Sequence, residues 1–479
     1  MKKRGRWLAS VCLGGLLASG CGDSEFDLAA FQNSPPPLAV DDAFQVLGGG
    51  QLSASVTAND TVNGAVVLQF QNPGTAGGTV QVGANGQLTY TPPAGQSNLV
   101  DTFTYQLANA AGSSTATVTV NVLAPGFFVD NTAPPGGNGN QLSPFNTLAA
   151  ALAAANGING AEIVVFRGDG TNAGLNTAVA LGPNQVLRSF DSNAPSLTGP
   201  ITLAGNTTLS GLRIEGTGGI SATGVSDIVV QNCTLANTPG DGARFVNLTG
   251  NLQLLNNQFI NNGDEGLEVE TNAGLLSVAL GNNTVSNSTG HSFLVNVTGT
   301  GNITWSEDRT TVNNSGNGVL AGGNSWLFFT RNDGSAFNAT MTNCLSDGSN
   351  RIGLEAQAFA LSNITLVFDQ GIIRNGIAQG INLIADGSSM FRGRVSNTDT
   401  SQNFPNAGFE ATKDAFGTMC LRMFNVVSDV YRLGNNTPGA PPPAGFFFEN
   451  FVNFSSENVG DRNQTGTITS VNIGDCGIP

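Results

Sequence analysis

The residues best suited to chemistry lie in the stretch NNGDEGLEVE, residues 261–270, and at an arginine upstream of it, Arg244. Alternate side chains of a β-strand face opposite ways, so Glu268 and Glu270 would share one face and the intervening Leu and Val the other. Two carboxyl groups and an arginine on one face could cleave a glycosidic bond. The same alternation is typical of a solvated strand face, where charges form ion pairs of small energetic weight.

The elements that would position these residues are tandem repeats. The units DIVVQNCTLANTPGDGARFV (227–246) and NLQLLNNQFINNGDEGLEVE (251–270) are closely alike, and looser copies follow. Such a period, about 24 to 28 residues, predicts a solenoid whose coils each contain three short strands. Asn-rich turns suit this fold, because Asn tolerates left-handed backbone and can stack between coils. Equivalent points recur, with an insertion in the step from 318 to 353, at Gly242, Gly266, Ser292, Gly318, Gly353, Gly380 and Gly408.

Stacking the coils in register predicts columns of side chains on the outside of the solenoid. Neighbouring coils lie about 4.8 Å apart, so Arg244 should lie beside Glu268. Asp264 and Glu265 would rim the same spot, whereas Lys413 falls too many coils away to cooperate with Arg244. The predicted column contains Arg244, Glu268, Leu294, Leu320, Glu355, Asn382 and Glu410.

The repeats and the segment FVDN…SPFNTLAAALAAA…EIVVFRGDGT at their start resemble right-handed parallel β-helices of the pectate-lyase-like superfamily. The resemblance covers residues 126–479. In that superfamily a short helix covers the open end of the solenoid, which would otherwise expose core and strand edges. Here we expect the helix near 144–155, with Ser143 as its cap and Pro144 in its first turn.

The resemblance also implies an activity on polysaccharides at the external face. Lyases of this superfamily pair a basic residue with carboxylate-held calcium, and hydrolases use two carboxylates. Arg244, Glu268 and Glu270 could serve either chemistry. The paired Asp and Gly-His-Gly motifs of polygalacturonases are missing, however, and GHSF at 290–293 contains the single histidine of the chain.

The composition favours an exported, turn-rich β protein. Only 11% of the 479 residues are charged, while glycine numbers 64 and 40% are hydrophobic, which argues against disorder. The formal net charge of −15 excludes nucleic-acid binding by phosphate neutralisation and opposes polyanionic substrates. Trp305 and Trp326, about one coil apart, either form a surface platform for glycan or pack inside the solenoid.

The N-terminus MKKRGRWLASVCLGGLLASGCGDS resembles a bacterial lipoprotein signal peptide. A basic segment precedes an apolar run, residues 8–17, that is too short to span a membrane as a mature helix. The lipobox-like ASGC predicts removal of residues 1–20 and lipidation of Cys21, which would anchor the protein, and Gly22 favours the outer membrane. An ordinary secretory signal is the alternative. Cleavage removes four basic and no acidic residues, which takes the formal charge from −15 to −19.

Residues 38–123 are predicted to form one β-sandwich, joined to the anchor by a polar linker at 21–37. GQLTYTP, DTFTYQL and STATVTVNV alternate with a period of two between Gly, Asn and Pro turns. With AVDDAF and VTANDT they resemble bacterial cadherin-like or Ig-like domains, some of which bind calcium. The resemblance makes Asp41, Asp42 and Asp60 candidate calcium ligands; alternatively, they cap turns and strand ends.

The cysteines that follow Cys21 show no metal-binding spacing. Export makes disulfides feasible, and Cys420 and Cys476 are the expected pair. Cys233 and Cys344 each follow an Asn in similar repeat contexts, and we expect them to be buried as small hydrophobic residues.

The sequence therefore predicts an all-β protein, with an Ig-like sandwich followed by a right-handed parallel β-helix capped by one short α-helix. We expect a lipid-anchored envelope protein that serves as a non-catalytic adhesion, glycan-contact or structural module and requires no cofactor. Its expected partners are extracellular polysaccharide or envelope proteins. The alternative is an extracellular polysaccharide lyase or glycoside hydrolase that works on the external face of the β-helix.

Overall fold

The computed structural model describes residues 34–216, 218–316, 323–332, 334–402, 404–414, 416–435, 446–449, 459–464 and 469–471. The predicted signal peptide, Cys21, most of the predicted linker and Cys476 lie outside the described residues. Almost all regular structure is β, as the alternating sequence patterns predicted. Within the ranges above, no helix is long and apolar enough to cross a membrane.

The N-terminal unit is a β-sandwich whose two sheets pack against each other. Strands β3, β6, β7 and β1 form one sheet, and β2, β5 and β4 form the other. The facing side chains make a separate hydrophobic core that includes Val80, Tyr90 and Phe103. The strands are β1 (Asp42–Gly48), β2 (Leu52–Ser55), β3 (Val66–Phe70), β4 (Thr79–Val82), β5 (Gln87–Thr91), β6 (Leu99–Asn109) and β7 (Gly112–Val129).

Strand β7 continues from the sandwich into the solenoid without a break. Its first part pairs with β6 and β1, and residues 126–129 pair in parallel with β8 (Glu162–Val165), the first separate strand of the solenoid. The boundary expected between residues 123 and 126 therefore falls inside one extended segment that bonds to both units. The backbone N–H of Gln51 also donates to Oε1 of Gln141 across the junction, at 2.7 Å.

The helix at the start of the solenoid is shorter than the expected 144–155. It is α1 (Leu148–Ala155), and its N-cap is Thr147 rather than Ser143. The residues before it stay extended, because Phe145 exchanges backbone hydrogen bonds with the end of β7. Long-range strand pairing thus overrides the Ser-Pro start signal. The buried face of α1 packs on the solenoid core, which confirms the expected capping helix.

The solenoid is a parallel β-helix of three sheets. The first contains β8, β10 (Val186–Ser189), β13 (Thr207–Ser210), β16 (Ser226–Gln231), β19 (Thr249–Leu255), β22 (Leu275–Gly281), β25 (Asn302–Asp308), β28 (Ala336–Thr342) and β31 (Asn363–Asp369). The second contains β11 (Ser196–Leu197), β14 (Arg213–Glu215), β17 (Thr234–Ala236), β20 (Gln258–Ile260), β23 (Thr284–Ser286), β26 (Thr311–Asn313), β29 (Leu345–Asp347) and β32 (Ile372–Arg374).

The third sheet carries the candidate site. It contains β9 (Val179–Ala180), β12 (Ile201–Thr202), β15 (Ile220–Thr223), β18 (Ala243–Val246), β21 (Leu267–Thr271), β24 (Phe293–Val297), β27 (Trp326–Thr330), β30 (Leu354–Ala358), β33 (Gln379–Ala385) and β35 (Ala407–Lys413). Two long strands turn the corners between sheets, β34 (Met390–Gln402) and β36 (Thr418–Asn435). The last strands are β37 (Phe446–Glu449), β38 (Val459–Gln464) and β39 (Thr469–Val471).

Asparagines in left-handed conformation make many of the turns between sheets, as predicted. Nδ2 of Asn261 donates to Oδ1 of Asn237 at 3.2 Å, and Nδ2 of Asn287 donates to Oδ1 of Asn261 at 3.0 Å. These side chains therefore form a ladder between coils. Turn asparagines whose φ lies between 53° and 57° include Asn232, Asn237, Asn256, Asn261, Asn282 and Asn287.

One insertion shifts the predicted register of the external column. Leu294 lies opposite Leu327 rather than the predicted Leu320, so the longer step falls between β26 and β27. This pairing places the apolar segment WLFFT in β27 and stacks Trp326 on Phe293 inside the coil, with ring centroids 6.0 Å apart. The observed column is Arg244, Glu268, Leu294, Leu327, Glu355, Asn382, Glu410 and Arg432.

Both solenoid tryptophans belong to the core. Trp305 is 1% exposed and Trp326 is fully buried, which removes the glycan-platform alternative. Their indole N–H groups donate to the two carboxyl oxygens of Glu307, at 2.8 and 3.1 Å. Burial raises the pKa of Glu307 to about 7, although the hydrogen bonds from the indoles act in the lowering direction.

The cysteines of the β-helix fall into two classes. Cys233 and Cys344 are free and buried, which confirms the prediction that they pack as small hydrophobic residues. Cys420 is disulfide-bonded. Its pairing with Cys476 stays a prediction, because Cys476 lies outside the described residues.

Candidate functional site

Strands β18 and β21 place the three candidate residues on the outside of the third sheet. Leu267 and Val269 are fully buried, so the alternation turns Glu268 and Glu270 outward. Arg244 lies opposite Glu268 on the preceding coil. The structure therefore brings together the residues that the sequence predicted would meet.

The guanidinium of Arg244 binds both glutamates. Its Nε donates to Oε2 of Glu268 and its Nη2 donates to Oε1 of Glu270. The side chain of Arg244 is 48% exposed, and the glutamate side chains are 15% and 28% exposed. Such a fork holds two carboxylates in fixed positions, but solvent weakens its contribution to stability.

The two carboxyl groups have opposite pKa shifts. Burial and the adjacent Glu270 raise the pKa of Glu268 to about 7, although Arg244 opposes the change. Burial also disfavours ionised Glu270, but hydrogen bonds from Glu268 and Arg244 outweigh it and lower its pKa. The pair therefore keeps one proton below about pH 7 and loses it as the pH rises above that value.

An acidic rim borders this pair at the turns that precede the two strands. One oxygen from each of Asp241, Asp264 and Glu265 lies within 4.8 Å of the others, and Glu265 is 8% exposed. Burial and the two neighbouring aspartates hold the pKa of Glu265 well above its ordinary value. Three carboxylates of this kind could ligate a hard cation such as Ca²⁺, whose charge would favour their ionised forms.

Further polar groups of later coils are buried next to this face. Asn324 donates from Nδ2 to Oε2 of Glu355 at 2.6 Å, and Asn382 donates from Nδ2 to Oε1 of Glu355 at 3.2 Å. Nδ1 of His291 accepts a hydrogen bond from the backbone N–H of Asn324 at 2.9 Å. Burial and the charge of Arg351 lower the pKa of His291 to about 4, so its ring is neutral at pH 7.

Sequence reasoning missed two members of this face. Asp241 stands one repeat before Glu265, and Glu265 donates its backbone N–H to Oδ1 of Asp241 at 3.2 Å. The recurrence of an acid before Gly242 and Gly266 was a signal that could have revealed it. Asn324 offered no such signal, because it follows the insertion that hides the repeat.

The predicted calcium ligands of the sandwich are mostly engaged in hydrogen bonds. Asp60 accepts from the backbone N–H of Val40 and the hydroxyl of Tyr105, each at 2.7 Å. Asp41 accepts from the N–H of Thr117 at 2.8 Å. Asp42 differs, because its Oδ2 is buried and has no hydrogen-bond partner in the described structure. Burial and the charge of Asp60 raise the pKa of Asp42 to about 6. Calcium binding there stays a prediction.

Two family models match the chain at the places that the fold indicates. Residues 33–124 match the bacterial cadherin-like domain, and residues 193–315 match the right-handed β-helix region. The chain thus combines a cadherin-like domain with a right-handed β-helix, and both architectural predictions are confirmed.

Comparison with individual proteins gives distant structural matches. No curated protein matches the sequence. The A-module of the Azotobacter vinelandii mannuronan C-5 epimerase AlgE4 is 14% identical, with a TM-score of 0.33 over 73% of this chain and 98% of that chain. The catalytic domain of a GH87 α-1,3-glucanase in complex with nigerose is 11% identical, with a TM-score of 0.24 over 82% and 75%. At these scores neither protein bears on the activity of this chain.

Proposed function

We propose that this protein is an exported, lipid-anchored envelope protein that binds extracellular glycan along the external face of its β-helix without cleaving it. The observation that carries the proposal is the fork of Arg244, which binds Glu268 and Glu270 at once. A fold of this type hosts many activities, so the function has to be inferred from the site itself.

The shared engagement of the two carboxyl groups by Arg244 disfavours glycosidase chemistry. Retaining glycosidases hold their carboxyl groups about 5–5.5 Å apart, and inverting enzymes about 6.5–9.5 Å apart, with the scissile bond between them. Glu268 and Glu270 share one guanidinium and are close enough to hydrogen-bond to each other. The guanidinium of Arg244 binds both carboxyl groups, so they are better suited to binding hydroxyl groups than to attacking an anomeric carbon.

The polar residues of the column suit a linear neutral polymer. Arg244 and Glu268 lie on adjacent coils, Leu294 and Leu327 follow them, and Glu355, Asn382 and Glu410 continue the column. Glu355 and Asn382 are 1% and 7% exposed, so the polar groups that a polymer can reach are those of Arg244, Glu268 and Glu410. Planar amide, carboxylate and guanidinium groups offer paired donors and acceptors to sugar hydroxyls. The strongly acidic chain repels polyanions, so neutral glycans are the favoured class.

The anchor in this proposal rests on the sequence. The basic n-region, the short apolar run and ASGC support export and acylation at Cys21. Two or more acyl chains hold a protein firmly on a membrane. The sandwich would then lie between the anchor and the β-helix in the order of the chain, so that the glycan-binding face belongs to the part farther from the lipid.

A second candidate function has one specific observation in its favour. The pKa of Glu268 is raised while that of Glu270 is lowered, a division that acid–base enzymes use to assign an acid and a base. Glu265, protonated at neutral pH, could supply a further acid. These groups would support a polysaccharide lyase or a hydrolase on the same face.

A glycan array of neutral and uronate polysaccharides tests the proposal when combined with degradation assays on the same polymers. We expect binding to neutral polymers that Arg244→Ala weakens about tenfold and that Arg309→Ala, at a 62% exposed arginine on another face, leaves intact. Assays for unsaturated and reducing ends should stay blank with and without calcium. Turnover that depends on Arg244 or Glu268 would replace the proposal with the second candidate.

A further inference from the structure

A pocket lies at the junction between the sandwich and the β-helix, well away in the chain from the residues of the candidate site. It has a volume of about 290 Å³ and is lined by the end of β1, by β7 and by the first coils of the solenoid. Ligand sites occur preferentially at such junctions, where volumes of roughly 300–1,000 Å³ are usual. We call it the junction pocket, and its volume suits a small ligand.

Aromatic rings form one wall of the junction pocket. Phe190 stacks on Phe166 with ring centroids 4.0 Å apart and an interplanar angle of 29°, and Phe128 meets the edge of Phe190 at 6.4 Å. Phe190 remains 37% exposed. The rings beneath hold Phe190 in place, so it offers a fixed aromatic surface to a ligand.

Polar side chains surround this aromatic wall, and the charges among them cancel, so the pocket has no net charge. Nε of Arg188 donates to Oε2 of Glu162 at 2.9 Å, and both side chains line the pocket partly exposed. Gln45, Gln51 and Gln141 add amide groups. The pocket therefore presents donors and acceptors in pairs, while the ion pair cancels its own charge.

We infer that the junction pocket binds one or two rings of a neutral sugar. The C–H face of a pyranose packs on an aromatic ring, because the ring face is electron-rich and apolar. The hydroxyls of such a sugar need paired donors and acceptors, which amide, carboxylate and guanidinium groups supply. A charged ligand would have to break the Arg188–Glu162 pair, and a purely apolar one would leave the polar wall unsatisfied. This site is independent of the external face.

The test is ligand binding by the full mature chain. The probes are methyl glycosides and disaccharides of glucose, galactose, mannose and N-acetylglucosamine, with galacturonate as a charged comparison. Saturation-transfer NMR identifies binders, and calorimetry gives their Kd. We expect at least one neutral sugar to bind, and Phe190→Ala to weaken its Kd about tenfold or more. Phe190→Tyr should retain binding, as should the control Phe416→Ala, at a ring that is 75% exposed elsewhere.

Two further variants keep the result decisive. Gln45→Ala changes an exposed residue of the pocket and should also weaken binding, even if Phe190→Ala does not fold. Arg244→Ala should leave the Kd of the small sugar unchanged, which separates this inference from the proposed function. Absence of binding by every neutral probe would overturn the inference. So would an unchanged Kd in Gln45→Ala, together with an unchanged Kd in Phe190→Ala where that variant folds.

Discussion

Arg244 and Glu268 are 24 residues apart in sequence, lie opposite each other on adjacent coils of the third sheet and share a hydrogen bond from Nε to Oε2. Each stands between inward-facing apolar residues of its own strand, so the core fixes where the charges emerge. The same fork reaches Glu270 two residues on. The packing of the coil thus positions the charged surface. Substitutions in the buried core should therefore affect stability differently from substitutions of the charged surface residues.

Replacing Leu267 should destabilise the protein far more than replacing its neighbour. Leu267 is fully buried, so Leu267→Ala removes packed methyl groups and should lower the free energy of unfolding by ~2–5 kcal/mol. Glu268→Gln keeps an acceptor for Arg244 on a partly exposed face and should change the free energy of unfolding by less than ~1 kcal/mol. Denaturant titration measures both. Equal losses in the two variants would contradict the assignment of inner and outer faces.

The buried Glu307 should make stability fall as pH rises. Its folded pKa of about 7 exceeds the ordinary value of 4.5, so the native state binds more protons than the unfolded state between those pH values. The contribution of Glu307 to the free energy of unfolding is fully present below about pH 4.5 and is lost as the pH passes 7. The change is on the order of 3 kcal/mol. Glu307→Gln cannot ionise and therefore lacks this dependence.

The measurement is the difference in unfolding free energy between wild type and Glu307→Gln from pH 4.5 to 8. Other titrating groups contribute equally to both proteins, so the difference isolates Glu307. We expect it to shift in favour of the variant as pH rises. A difference that stays constant over this range would show that Glu307 is ionised throughout.

Much of the fold could be predicted because each coil repeats the same local pattern. The alternation in GLEVE assigned Leu267 and Glu268 to opposite faces, and the 24-residue spacing placed Arg244 beside Glu268. Prediction failed where strand pairing between residues distant in sequence determined the structure. The start of α1 differs from the prediction because Phe145 hydrogen-bonds to the end of β7. The external column contains Leu327 instead of Leu320, because NSGNGVLA resembles a repeat in sequence whereas the strand WLFFT pairs at that place in the sheet.

The candidate site was less predictable than the fold. The hydrogen bonds of Glu355 come from Asn324 and Asn382, which lie on different coils and have no common sequence signal. Glu307 was missed although the signal existed, since alternation in NITWSED puts it on the same face as Ile303 and Trp305. A carboxyl group at an inward position contradicts the usual pattern, and hydrogen bonds from the two indoles satisfy both of its oxygens.

Calcium, if it stabilises the sandwich, should bind at Asp42. Its Oδ2 has no partner within the described part of the chain, and a cation there would offset the repulsion between Asp42 and Asp60. Calorimetric titration of the full chain should show a site that Asp42→Asn removes and that Asp264→Asn retains. Asp42→Asn leaves the hydrogen bonds of Asp60 in place. Loss of calcium binding in Asp264→Asn but not in Asp42→Asn would assign the ion to the acidic rim of the β-helix.

Acylation of Cys21 should be measurable in cells. Labelled palmitate should enter the wild type and should not enter Cys21→Ser, because the predicted lipobox directs acylation to that cysteine. Cys233→Ser, at a buried cysteine, is the matched control and should be labelled like the wild type. Equal labelling of the wild type and Cys21→Ser would remove the lipid anchor from the proposal.

The most direct test of the central claim follows one neutral polysaccharide, chosen from the array, during incubation with the protein. Binding is measured by sedimentation, and polymer length by size-exclusion chromatography with light scattering. We predict that the wild type and Arg309→Ala bind the polymer, that Arg244→Ala binds about tenfold more weakly, and that polymer length stays constant in every sample. Shortening of the polymer by the wild type that Arg244→Ala or Glu268→Gln prevents would contradict the claim, as would undiminished binding by Arg244→Ala.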